Sequence, residues 1–165
     1  MKYILDPACS NRCFYIDKNN PYVLYCDLRK VEKGILDKKR PNYDIKPDHI
    51  LDYRYLPFKD KSFKHIVFDP PHLTSKKGMN KLNGLLQSKY GSLNIDTWKS
   101  DLTLAFKELW RVLDNYGTLN LKFNNYSIPF KEVLNLFPVR ALYGTTTTTK
   151  KHCQTRFFTF VKGAF

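Results

Sequence analysis

Four short apolar runs in the first seventy residues each end on an aspartate, and no other feature of the chain constrains its fold as tightly. Tyr3-Ile4-Leu5 ends at Asp6, Tyr22-Val23-Leu24-Tyr25-Cys26 at Asp27, His49-Ile50-Leu51 at Asp52, and His65-Ile66-Val67-Phe68 at Asp69. Runs this short and continuously apolar, without strict alternation, are what strands buried on both faces of a parallel sheet look like. Open parallel sheets bind ligands outside the carboxyl ends of their strands, so the four aspartates are expected along one ligand-binding edge. Fifteen residues separate Asp6 from Tyr22. That is barely more than a parallel crossover needs, so little helix is expected there.

Further along, Trp98, Leu102, Ala105, Leu109 and Val112 recur at helical spacing and form one apolar stripe. They predict a helix capped by Asp96 and running through Leu113. Asn115-Tyr116-Gly117 reads as a turn, residues 118–123 as the next strand, and Pro129 as the first turn of a shorter helix carrying Phe130, Val133, Leu134 and Phe137. Residues 140–143 and 156–161 read as two strands of a hairpin, separated by Gly144, five threonines and Lys150-Lys151-His152-Cys153-Gln154. No repeat and no Gly/Ser- or Pro-rich linker divides the 165 residues, so the whole chain is expected to be one domain.

Charge narrows the partner. Lys and Arg number 28 against 15 Asp and Glu, a formal net charge of +13, with 12 Phe and 11 Tyr to build a core. So large an excess favours a polyanionic partner, and nucleic acid leads. An anionic membrane is the competitor, but no run approaches the ~18 apolar residues of a spanning helix. The apolar start is broken at Asp6, unlike a signal peptide, so a soluble cytoplasmic protein is expected. Cys9, Cys13, Cys26 and Cys153 match no paired zinc framework, even with His152 beside Cys153, and read as small hydrophobes rather than metal ligands.

In Val67-Phe68-Asp69-Pro70-Pro71-His72 a strand delivers a carboxylate and two residues without N–H groups to its C-terminal end. The turn is rich in acceptors and suits an exocyclic amino group with two hydrogens to donate. This segment resembles the Asp-Pro-Pro-Tyr motif of the amino-group methyltransferases, S-adenosylmethionine-dependent enzymes that modify N6 of adenine or N4 of cytosine. Residues 52–63, with Leu56-Pro57-Phe58 and Ser62-Phe63, resemble that family's third strand and following loop. Residues 106–113 with Gly117-Thr118-Leu119 resemble the helix and turn before its fifth strand, and Asp6-Pro7-Ala8-Cys9 its first-strand motif.

The resemblance implies a doubly wound, Rossmann-like α/β sheet of seven strands with an antiparallel C-terminal hairpin strand, and S-adenosyl-L-methionine as cofactor. It implies that Asp6, Pro7, Ala8 and Cys9 flank the cofactor's methionine portion, that Asp27 holds the ribose, and that Asp52 with Tyr53 meets the adenine. Asp69 and the Pro70 carbonyl would hold the target amino group, beside Pro71, with His72 in the place of the stacking aromatic. Asp27 lies 21 residues after Asp6, near the interval of about 20 at which nucleotide-binding sheets place a ribose-binding acid. Asp17 is its rival if Phe14-Tyr15-Ile16 is the second strand. Ser10 and Arg12 occupy positions where the family has glycine, whereas Asn11 tolerates left-handed geometry.

Two basic stretches are expected to face phosphate: Lys76, Lys77, Lys81 and Lys89 after the Asp-Pro-Pro turn, and Lys150, Lys151 and Arg156 near the chain's end. The resulting expectation is transfer of a methyl group to adenine N6 in DNA, with a second copy or a partner as a source of sequence choice. RNA is the first alternative, and a nonenzymatic binding module that has lost the glycine turn is the second.

Overall fold

The computed structural model describes residues 1–13, 15–145 and 153–163. Each aspartate-ended run contributes a strand: β1 (Ile4–Asp6), β2 (Val23–Asp27), β3 (His49–Ile50) and β4 (Phe63–Phe68). After β4 come β5 (Thr74–Ser75), one 3-10 turn at Gly78–Asn80, α1 (Gly84–Tyr90) and β6 (Leu93–Asn94). The remainder is α2 (Trp98–Val112), β7 (Leu113–Asn124), α3 (Phe130–Leu134), β8 (Tyr143–Gly144) and β9 (Thr155–Val161). The main sheet has seven strands in the order β3-β2-β1-β4-β7-β9-β8. Strands β1 to β4 and β7 are parallel, β9 is antiparallel to β7, and β8 is antiparallel to β9. This is the mostly parallel α/β sheet with an antiparallel C-terminal hairpin that the resemblance implied.

The first face of the sheet is the core. Ile66, Phe68, Leu119, Leu121, Phe158 and Phe160 are buried there against the α2 stripe of Leu102, Phe106 and Leu109. Phe106 stacks on Phe137 with centroids 4.2 Å apart and meets Phe160 edge-on at 5.5 Å. Over β1 and β2 the second face is covered without a helix: Cys9 from the first crossover packs on Val23 and Tyr25, with Ile4 and Tyr15 alongside. The short crossover accounts for this, since its residues are consumed in reaching across the sheet.

Three local expectations need correction. The third run does not form a strand buried on both faces, because β3 is a two-residue edge strand and both its residues are exposed. Asp96 does not cap α2. Its backbone N–H is taken by Asn94 Oδ1 at 2.8 Å, the cap position falls to Thr97, and the Thr97 hydroxyl donates to Asp101 Oδ2 at 2.8 Å. The strand expected over 140–143 reduces to β8, which meets only β9 at the sheet's edge. Asn115-Tyr116-Gly117 is looped out within β7, with Tyr116 at φ +61°, where the pairing slips from Phe63↔Leu113 to His65↔Thr118.

Candidate active site

The carboxyl ends of β1, β2, β3 and β4 converge on one cavity of about 490 Å³, roofed by the segment between β4 and α2. Pro7, Ala8, Asp27, Asp52, Tyr53, Asp69, Pro70, Pro71 and His72 all line it. Nine sequence-predicted residues spread over four strand ends are thus brought to one place. Asp6 and Cys9 are not on the wall; they stand behind it.

Asp6 is fully buried. Its Oδ1 accepts from the Ala8 N–H at 3.1 Å and its Oδ2 from the Tyr15 hydroxyl at 2.9 Å. Burial pushes its carboxyl up to about 8 against the pull of those two bonds. Its part is to hold the turn that presents Pro7 and Ala8. Cys9 is 1% exposed and belongs to the core over β2. Ser10 and Arg12 sit at φ +46° and +56°, so the turn keeps the left-handed backbone that glycine would give it. The Arg12 side chain is turned out of the turn: its guanidinium lies 3.7 Å from the Tyr25 ring centroid and donates to the carbonyls of Lys18 and Lys46 at 2.7 and 2.8 Å. The second-strand alternative fails, because the second strand is Val23–Asp27 while Tyr15 and Ile16 are irregular and Asp17 is exposed; Phe14 lies outside the described residues.

Asp27 Oδ2 accepts from the Ser10 N–H and Oδ1 from the Arg29 N–H, each at 2.9 Å, which fixes the carboxylate at the cavity wall. At the end of β3, Arg54 clasps Asp52, with Nη2 to Oδ2 at 2.6 Å, and reaches Asp101 at 2.7 Å. Burial raises the Asp52 carboxyl, but the Arg54 bonds outweigh it and hold it below the usual carboxylate range. The Tyr53 ring is packed edge-on against Phe68, 5.3 Å between centroids.

Beside the Asp-Pro-Pro turn stands a residue that was not singled out in the sequence. Lys122 on β7 places Nζ 2.5 Å from Asp69 Oδ2, with each side chain about one-fifth exposed. Burial raises the Asp69 carboxyl, and the Lys122 ammonium pulls it back. His72 lies 6.4 Å from Tyr90 and 6.5 Å from Phe123, centroid to centroid, and its burial holds its imidazole below the usual histidine value. Asn124 and Thr155, joined by a 2.9 Å bond, continue the wall beyond Lys122.

The roof is tied down at the C-terminal end of α1. Arg29 donates to the Ser88 and Lys89 carbonyls at 2.8 and 3.1 Å. Lys89 is therefore no phosphate contact: it is buried, and its Nζ pairs with Asp37 at 2.5 Å. Its acid arrives from a different loop, which a locally acid-free stretch conceals. Arg156 is also displaced from the expected surface. Its register opposite Phe123 puts it on the helix side of the sheet, with its guanidinium 4.9 Å from the Phe130 ring. Lys76, Lys77 and Lys81 are exposed, and Lys77 reaches the cavity. Lys150, Lys151 and the rest of 146–152 lie outside the described residues.

Gly91 has φ +78°, and a Cβ there would fall 2.8 Å from Met79 Sδ and 2.9 Å from Pro71 Cγ. Gly91→Ala is expected to push the Pro71 ring out of place, cost about 1–3 kcal/mol of stability and slow turnover. Thermal unfolding and rate measurements check this, and an unchanged variant would contradict the close approach.

Among the described residues, no group of three His, Cys, Asp or Glu is placed to hold a metal, and no helix is long and apolar enough to cross a membrane. No protein-family model and no curated protein matches the chain. Among solved structures it is similar to a protein of Pyrococcus horikoshii OT3, with 13% identity, TM-score 0.58, and 96% of this chain covering 81% of that one. It is also similar to a SAM-dependent methyltransferase of Methanosarcina mazei, with 14% identity, TM-score 0.57, and coverage of 96% and 91%. At these identities the likeness is one of fold.

Proposed function

We propose that this chain is an S-adenosylmethionine-dependent methyltransferase acting on an exocyclic amino nitrogen of a nucleobase, N6 of adenine in DNA. One observation carries the reading: the Asp69-Pro70-Pro71 turn opens onto the same cavity as Pro7, Ala8, Asp27, Asp52 and Tyr53. A fold shared with a SAM-dependent methyltransferase supports it.

The residues fit the cofactor. The cavity lies within the range of about 300–1,000 Å³ usual for small-ligand sites. Carboxylates at the ends of β2 and β3 suit hydroxyl and amino donors, and the half-buried Tyr53 gives one wall an aromatic surface. When bound, the cofactor supplies an electrophilic methyl group. Asp69 and the Pro70 carbonyl would accept hydrogen bonds from the target amino group and aim its lone pair, so positioning supplies most of the catalysis. The left-handed Ser10 and Arg12 weigh against the nonenzymatic alternative, because the turn it supposed lost keeps its shape.

A flipped or single-stranded base is required to enter such a cavity. Lysines 76, 77 and 81 are exposed and Lys77 lines the cavity, so this loop is the proposed contact to phosphate. Lys76→Glu combined with Lys77→Glu is expected to weaken DNA binding and flatten its dependence on log salt by about 1.4–1.8; an unchanged slope removes this loop from the substrate path. The reading itself is tested by incubating the protein with methyl-labelled S-adenosylmethionine and unmethylated DNA or RNA. Label is expected in DNA. The reading fails if neither polymer takes up label while the protein is folded and binds S-adenosylhomocysteine.

A further inference from the structure

Where β4, β7 and β9 bury one face under α2 and α3, the register leaves their other face bearing a different surface. Asn120 lies opposite Thr159, Lys122 opposite Phe157, and Asn124 opposite Thr155. On the neighbouring strand Tyr143 lies opposite Thr159. Alternation puts these residues on the side away from Leu121, Phe158 and Phe160. Two aromatic rings are offered outward: Phe157 is 45% exposed and Tyr143 65%. They are diagonal cross-strand neighbours, which sets them about 7–8 Å apart.

This face is continuous with the cavity, since Lys122, Asn124 and Thr155 belong to both. Its strands are poor in acid. Asp114, in the looped-out start of β7, is the only acid in β7, β8 or β9, and the sequence has no acid at all after Glu132. Exposed rings set among hydroxyls and amides, with the one neighbouring carboxylate, Asp69, paired to Lys122, in a chain of net charge +13, suit a polyanion with aromatic bases. A second copy of the chain would bring the same positive charge to the contact, which disfavours it.

We propose that the open face of β7, β9 and β8 is the track for single-stranded DNA flanking the target base, with Phe157 and Tyr143 as stacking platforms. This rests on the methyltransferase reading of the cavity. Stacking needs no particular base, so the track contributes affinity and strand form rather than sequence choice.

The test compares wild type with a Phe157→Ala/Tyr143→Ala variant in anisotropy titrations of a labelled single-stranded DNA of about a dozen nucleotides. The same-sequence RNA and the duplex are run in parallel, with methyl transfer measured on each. Both rings are exposed, so folding and stabilisation by S-adenosylhomocysteine should survive. With two platforms removed, single-strand affinity is expected to fall roughly 30-fold or more and KM to rise in step, with kcat unchanged and Phe157→Tyr close to wild type. Undiminished single-strand binding by the double variant overturns the track. Tighter binding of RNA than DNA, or a dimer in solution that the variant abolishes, reassigns the face and overturns it too. Ring-dependent DNA binding without transfer to any polymer supports the track and refutes the cavity reading, so the two failures are distinct.

Discussion

Asp69→Ala is expected to lower methyl transfer by about a thousandfold while leaving S-adenosylhomocysteine binding intact. The carboxylate sits at the end of β4, where Pro70 and Pro71 remove competing backbone donors and leave acceptors facing the cavity. Without it, an amino group loses the charged acceptor that orients it, and the Lys122 ammonium is left beside the reacting nitrogen. Asp69→Asn keeps an acceptor of the same shape but not the charge, so an intermediate loss is expected. The proposed cofactor contacts come from other strand ends, through Pro7, Ala8, Asp27, Asp52 and Tyr53, which line the same cavity. Single-turnover rates and thermal stabilisation separate the two effects. Wild-type turnover in Asp69→Ala would contradict the assignment of the site.

Lys122→Met is expected to move the acid limb of the pH–rate profile to higher pH. Burial raises the Asp69 carboxyl and Lys122 opposes that rise, so removing the ammonium takes the folded-state value higher still. Activity needs the ionised acceptor. It is present above the folded pKa and lost as pH falls through it, and in the variant that loss begins at a higher pH. Below the midpoint each further pH unit costs about tenfold in the ionised fraction. Lys122→Arg keeps the charge and should keep the wild-type limb. If the Met variant loses activity equally at every pH, Lys122 serves packing rather than the charge state of Asp69.

What the sequence made legible follows from how local each signal is. Runs ending in Asp6, Asp27, Asp52 and Asp69 are written in consecutive residues, and the parallel sheet carries their ends to one edge without further information. The α2 stripe is local in the same way. Lys122 is not: it lies 53 positions after Asp69, and only the β4–β7 register brings them together. The alternation of Leu119, Leu121 and Phe123 with Asn120, Lys122 and Asn124 already marked a strand with one polar face. That face was the available sign of a functional lysine. Lys89 misled for the converse reason, since its neighbours in sequence include no acid while its neighbour in space is Asp37. Asp6 and Cys9 belong to the expected turn but face inward, because a first crossover without helix uses them to close the second face of the sheet. Ser10 and Arg12 show that a glycine pattern can be absent while the conformation it serves is kept.

The most direct measurement is the identity of the methylated nucleoside. Unmethylated DNA incubated with the protein and methyl-labelled S-adenosylmethionine, digested to nucleosides and resolved by mass spectrometry, is expected to carry its label on N6-methyladenine and to lose it with Asp69→Ala. Label on a ring nitrogen, a carbon or the sugar would contradict the account, because an acceptor turn built from Asp69 and Pro70 has no means of selecting those atoms.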